Sequence, residues 1–211
     1  MSITRQLFII GNAPLDKDYR DLIGADDIVV RFNDAVLDDL HTGSRVDILC
    51  ITNLGEPARA FLASDWAERS AAYRAARTIV FPRAPTIHAA HYATVQQHYT
   101  AYPASEFDDG ANAFIARGGT AGKEVVILSP ELNRYAFDLL RNVAEGPFVC
   151  PSTGFLMLTY LLLEPRYQAY RKHLLGFGFE GWIGHPWAAE RAIVAHYQTL
   201  GQLTLHVEAR P

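Results

Sequence analysis

Leu7-Phe8-Ile9-Ile10-Gly11-Asn12-Ala13-Pro14 runs four consecutive apolar side chains into a turn of glycine, asparagine and proline. A short apolar run without alternation reads as a strand covered on both faces, as in a parallel sheet. Similar runs, rich in Ile and Val, recur at 27–32, 46–52, 78–81, 124–128, 173–177 and 203–207. Helical patterns lie between them at 16–23, 57–70, 87–99, 130–143, 153–163 and 186–200. Ser129-Pro130-Glu131 and Ser152-Thr153 each set a capping hydroxyl at a helix entry. Strands alternating with helices predict an α/β fold: one doubly wound, mostly parallel sheet of Rossmann type. The stretch 102–122 has no sustained period and carries Asp108-Asp109-Gly110 and Gly118-Gly119. A loop of that length in a compact domain is expected to be a lid.

The chain has 211 residues, 49% of them hydrophobic, which fits one domain over 1–211 better than two. A net charge of −4 gives no electrostatic support to a nucleic-acid partner. Cys50 and Cys150 do not form a disulfide framework, although a single long-range bridge between them stays open. The longest apolar stretch, 154–163, falls short of the roughly 20 residues a membrane span needs. The expected location is cytoplasmic, or peripheral to the inner face of a membrane. Oligomeric state is left open.

Ligands of a doubly wound sheet bind outside the carboxyl ends of its strands. Three strand ends carry an asparagine to that rim: Asn12 after the first, Asn33 in Arg31-Phe32-Asn33-Asp34, and Asn53 after Thr52. Asparagine offers donors and an acceptor without charge, which suits reading a base edge and ribose hydroxyls. A single one is ordinary turn chemistry; three in one topological position point to a ligand pocket. Cys150-Pro151-Ser152-Thr153-Gly154 opens an apolar helix with two hydroxyls and free N–H groups, either a plain cap or an anion site. His185 stands at a strand-to-helix junction, where an imidazole can take a proton from a hydroxyl. Cys150 as a nucleophile lacks an evident base in the sequence.

These residues carry a resemblance. Gly11-Asn12, Val30-Arg31-Phe32-Asn33 and Thr42-Gly43-Ser44-Arg45 resemble the large motif of the sialyltransferases of glycosyltransferase family 29. Pro151-Ser152-Thr153-Gly154 followed by Gly176-Phe177-Gly178 resembles that family's small motif, and His185-x-x-x-x-Glu190 its very small motif. The bacterial sialyltransferases of family 42 are similar in layout, with asparagines near the first three strands. The resemblance implies a GT-A-like nucleotide-binding domain, a CMP-sugar donor and a glycan acceptor. It also implies that Asn12 and Asn33 hold the nucleotide, that Ser152, Thr153 and Gly154 hold cytidine and phosphate, and that His185 is the catalytic base. Asn53 carries over from family 42 alone. The implied reaction is an inverting transfer of sialic acid or a related keto-acid sugar such as Kdo, with no cofactor and no metal. The lid at 102–122 would cover the acceptor side.

The departures are specific. Where family 29 joins the large and small motifs by a disulfide, Leu7 holds the first position and no cysteine stands near Gly176. The third motif, an aromatic stretch with a histidine, has no room in 179–184, so the group that stabilises the leaving phosphate is missing or replaced. Glu190 lies about a turn and a half from His185 and need not touch it; it reads as a structural or indirect partner. Asp16-Lys17-Asp18 spells a metal-binding D-x-D but sits in the first turn of an expected helix, where acids favour the dipole. His88-x-x-His91 with His98 reads as a solvated helix face, not a zinc site. Two other classes stay open. A Rossmann-type methyltransferase or dehydrogenase would need a glycine-rich first turn that is absent here. A nucleotide-binding module without turnover would leave His185 dispensable.

Overall fold

A computed structural model describes residues 5–37, 40–84, 110–117 and 120–206. Among these residues, seven strands form one sheet: β1 (Gln6–Ile10), β2 (Ile28–Phe32), β3 (Ile48–Cys50), β4 (Thr78–Phe81), β5 (Glu124–Ile127), β6 (Arg171–Leu175) and β7 (Leu203–Leu205). Their order is β5-β4-β3-β2-β1-β6-β7, and every neighbouring pair is parallel. The chain steps outward from β1 to β5, then returns to lay β6 and β7 on the other side of β1. The reversal falls between β1 and β6, and a crevice opens at their carboxyl ends.

Helices cover both faces because successive strand residues point to opposite sides. Leu7, Ile9, Val30, Phe32 and Leu174 pack in one cluster with α5 (Pro130–Arg141), α6 (Thr153–Leu163) and α7 (Trp187–Thr199). Leu49, Ile51, Ile79 and Phe81 face the other way, toward Trp66, Tyr73 and Phe114. Those three come from α2 (Trp66–Arg69), α3 (Ala71–Ala75) and α4 (Ala111–Ala116), which follow or flank α1 (Gly55–Ala63). Phe8, Ile10, Val29 and Leu175 close a third cluster with Tyr19. The sheet is therefore doubly wound, and the parallel expectation holds at every described pair. No helix among the described residues is long and apolar enough to cross a membrane.

Some elements differ from the sequence reading. The helix expected at 16–23 shrinks to a single 3-10 turn, Arg20–Leu22. The Asp18 carboxylate accepts the Arg20 backbone N–H at 2.9 Å and pairs with its guanidinium at 2.5 Å, a local alternative to helical bonding. That pairing holds the Asp18 carboxyl down to about 2, and Asp16 and Asp18 of the D-x-D lie before the turn instead of in the first turn of a helix. The helix expected at 57–70 is broken after Ala63, where Ser64 turns extended. Within 102–122, Ala111–Ala116 is helical and buries Ala111 and Phe114, so this part belongs to the core. Residues 102–109 and 118–119 lie outside the described residues, as does the helix expected at 87–99 with His88, His91 and His98. Cys50 and Cys150 are free, buried thiols, so the bridge left open by the sequence is not made. The Arg31 guanidinium lies under the 42–45 loop, donating to the carbonyls of Arg45, Thr42 and Gly43 and to the Thr42 hydroxyl. Those bonds are why the two halves of the large-motif pattern stay together in space.

Candidate active site

The floor of the crevice is main chain. Gly11 donates to the Leu175 carbonyl at 2.8 Å and Ala13 to the Gly176 carbonyl at 3.1 Å, so the loops after β1 and β6 cross in contact. A Cβ on Gly11 would lie 2.3 Å from the Gly176 oxygen, and Gly176 itself holds φ at +65°. No side chain fits at either position. The Phe177 ring fills the space above: a Cβ on Gly154 would meet it at 3.0 Å, and it packs edge-on against Phe32. One aromatic ring thus sets the spacing between the β1 turn, the β2 end and the start of α6.

The three asparagines do different work. Asn12 is exposed and ties its amide to the Phe32 carbonyl at 3.2 Å. Asn33, at φ +51°, accepts the Thr52 N–H at 2.8 Å and so joins the ends of β2 and β3. Asn53 is fully buried, and its amide exchanges two hydrogen bonds with the backbone of Arg83, at 2.9 and 3.1 Å. Asn53 therefore anchors the segment after β4 with its side chain turned away from solvent.

Arg83 is the residue the sequence reading passed over. It follows β4 in Pro82-Arg83-Ala84 and is 6% exposed. Its Nη1 donates to the hydroxyls of Thr52 (3.4 Å) and Thr153 (3.2 Å), and its Nη2 to the Pro151 carbonyl (2.9 Å) and the Cys150 sulfur (3.7 Å). A lone arginine after a strand looks like a solvated surface residue. The available signal was topological, because Arg83 is the fourth strand-end residue in the position where β1, β2 and β3 carry asparagines.

At the entry to α6, the Ser152 hydroxyl accepts the Phe155 N–H at 3.1 Å, as the capping pattern predicts. Its proton goes to Glu190 Oε2 at 2.7 Å, while its backbone N–H reaches Glu190 Oε1 at 2.7 Å. The Ser152 side chain is thus committed to the protein, and Thr153 and Gly154 supply the remaining groups at this helix end. Glu190 is 2% exposed, and burial pushes its carboxyl up to about 7 against the opposing pull of the Ser152 bonds.

His185 lies beside this cap. Its Nδ1 is 2.8 Å from the Cys150 carbonyl, which can only accept, so Nδ1 carries the proton and Nε2 the lone pair. The ring stands edge-on between Trp182 and Trp187, with centroids at 4.9 and 5.0 Å. Burial first and the Arg83 charge second hold the imidazole down to about 4, so it is neutral at pH 7. The Cys150 sulfur, 3.9 Å from Nδ1, acquires a histidine neighbour that the sequence did not reveal. That imidazole proton is already given to the carbonyl, so Nδ1 has no lone pair with which to serve as base toward the thiol. A cleft of about 390 Å³ opens at His185 between Phe148, Ile183, Trp187 and Ala192. Among the described residues, no group of three or more His, Cys, Asp or Glu is arranged to hold a metal ion.

The structure therefore joins Asn33, Thr52, Arg83 and Thr153 into one hydrogen-bonded chain, and Ser152, Glu190 and His185 into a second cluster at the same helix end. Asn12 borders the first and Asn53 supports it from below. No protein-family model matches the chain. The urease operon 23 kDa accessory protein of Rhizobium meliloti (strain 1021) is 32% identical over 208 residues, spanning 96% of this chain and 93% of that one. Among solved structures, a mammalian sialyltransferase aligns with a TM-score of 0.56 at 17% identity, over 97% of this chain and 70% of its own. The alpha-2,3-sialyltransferase from Campylobacter jejuni in apo form aligns with a TM-score of 0.52 at 12% identity, over 98% and 76%. At these identities the likeness is one of architecture: the chain has a sialyltransferase-like α/β fold.

Proposed function

The chain belongs to the family of the urease operon 23 kDa accessory protein of Rhizobium meliloti, and we propose that it is an inverting glycosyltransferase of the sialyltransferase kind. The donor is a CMP-linked keto-acid sugar, sialic acid or a relative such as Kdo, and the acceptor is a glycan hydroxyl. The observation that carries this reading is the state of His185: a neutral imidazole with its proton fixed on Nδ1, its lone pair on Nε2, and a cleft at the ring between residues 143–148 and the start of α7. The sialyltransferase-like fold supports it.

In this reaction His185 Nε2 takes the acceptor proton as the acceptor oxygen attacks the anomeric carbon. The bond from that carbon to the phosphate oxygen breaks, and CMP departs with the electron pair. A phosphate monoester is a good leaving group, so it needs charge stabilisation more than a proton, and backbone N–H groups at Thr153–Gly154 are suited to give it. Asn12 and Asn33 border the nucleotide. Asn53 and Ser152 hold the walls. No step requires a metal ion.

The test is to incubate the purified protein with CMP-sialic acid and with CMP-Kdo, and to follow CMP release and sugar transfer with and without EDTA. Transfer from one donor, unaffected by EDTA, is expected, and CMP raises the melting temperature more than AMP, NAD or S-adenosylmethionine does. The His185→Ala variant keeps its CMP affinity and loses about 10²-fold or more in kcat, the scale of a lost general base. Near wild-type transfer by that variant would overturn the mechanism. The relative's name favours a second reading, an accessory role without turnover. Under that reading CMP binds, nothing is transferred, and His185→Ala has no effect.

A further inference from the structure

Arg83 is a guanidinium with 94% of its surface removed from water and, among the described residues, no carboxylate paired with it. A buried charge without a counter-ion is costly unless its hydrogen bonds are made. Arg83 makes them only to neutral groups, and its Nε makes none. Every neutral partner lies at one place: Thr52 at the end of β3, and Cys150, Pro151 and Thr153 at the entry to α6. A positive charge is therefore held against a helix N-terminus that already carries a positive partial charge. Each of the two makes the other harder to keep, and both favour an anion at this point. The proton inventory of Thr153 gives the direction. Its half-buried hydroxyl accepts from Arg83, so its own hydrogen is left to donate toward the crevice, sharpened by the cation behind it.

We infer that Arg83 is the positioning charge for the donor's phosphate, acting through the Thr153 hydroxyl and the first N–H groups of α6. It replaces the phosphate-stabilising group that 179–184 has no room to supply. This rests on the nucleotide-donor reading above and adds to it the source of the phosphate's counter-charge. Arg83 does not reach the phosphate itself. It orients a hydroxyl and sets a positive field, which favours CMP over cytidine and lowers the barrier as negative charge grows on the departing phosphate.

The experiment compares calorimetric affinities for CMP and for cytidine in the wild type, Arg83→Met and Thr153→Val, each checked for folding by circular dichroism. Wild type should bind CMP more tightly than cytidine. In Arg83→Met the CMP affinity should fall about tenfold or more, the scale of the hydrogen bond to a charged phosphate that the Thr153 hydroxyl is no longer held to make, with cytidine changed less than about twofold. Thr153→Val should move the ratio in the same direction. An unchanged CMP-to-cytidine ratio in folded Arg83→Met, or equal losses for both ligands, overturns the inference while the donor reading stands. If Arg83→Met does not fold, an unchanged ratio in Thr153→Val overturns it alone. If the wild type binds neither ligand, the donor reading fails and this inference with it.

Discussion

His185 owes its chemical state to its neighbours more than to its own side chain. The Cys150 carbonyl chooses the tautomer, two tryptophans fix the ring edge-on, and burial with the Arg83 charge keeps the imidazole neutral down to about pH 4. As the transfer base it would lose activity only when protonated. The acid limb of kcat/KM is then expected near pH 4, well below the ordinary histidine range, and a profile of CMP release begun about one unit below that value and carried to pH 8 measures it. A limb near 6.5 would show that the ring is more solvated in the working enzyme. Gly11 carries a separate expectation. A methyl group there would stand 2.3 Å from the Gly176 oxygen, a main-chain atom that cannot swing aside. Gly11→Ala should cost about 1–3 kcal/mol or more in urea unfolding, the range for overpacking a tight site. The places of Asn33, Ser152 and His185 at strand ends and helix entries were legible because each sits in an ordered pattern. Arg83 was not, since nothing in Pro82-Arg83-Ala84 separates a buried guanidinium from a solvated one until β4 is placed beside β3.

The contact between α6 and α7 turns on one carboxylate. Glu190, four residues into α7, accepts both the N–H and the hydroxyl of Ser152 just before α6, so the two helix starts are clamped together. Spacing on the helix made Glu190 a structural partner but could not name Ser152, which lies 38 residues away. Glu190→Ala leaves a buried N–H unpaired and should cost about 1–3 kcal/mol for that group alone. Glu190→Gln keeps an acceptor for the N–H and reverses the bond to the hydroxyl, whose oxygen then accepts from the amide, and should cost less. The pH dependence separates the two forms of the clamp. The folded carboxyl, raised to about 7 from an ordinary 4.5, holds its proton more tightly than the unfolded chain does. The stability this contributes is full below about pH 4.5 and is lost as pH rises through about 7. Unfolding free energies measured from pH 4.5 to 8 should show that loss in the wild type and not in Glu190→Gln. The elements the sequence missed are those in which short side chains decide. Asp18 captures Arg20 and cuts a helix to one turn, and α4 is a six-residue piece without a full apolar period.

The sheet as a whole was legible because it is built from unbroken apolar runs separated by helical patterns, which demand parallel pairing. One buried feature across it escaped the pattern. His173 on β6 stacks on Phe8 and shares a hydrogen bond of 3.0 Å with His206, and burial ahead of the His206 and Arg171 charges holds it down to about 4. The unfolded chain therefore binds the proton first on acidification. Stability from this group is full above about pH 6.5 and is lost as pH falls through about 4, the opposite sense to Glu190. Urea unfolding should weaken over that window, and His173→Phe should reduce the slope; an unchanged slope would assign the loss to other groups. The crossing of the Gly11 and Gly176 loops has a consequence for how such a site can diversify. Its bed is peptide backbone, cast by the topology, so any sequence that adopts the sheet inherits the same contour there. Neither drift nor design can retool it without undoing the crossing. On the proposed reading, new specificity has to be cut into the jaws instead, at Asn12, Thr153 and the tryptophans beside His185, where a side chain can be exchanged and the casting left intact.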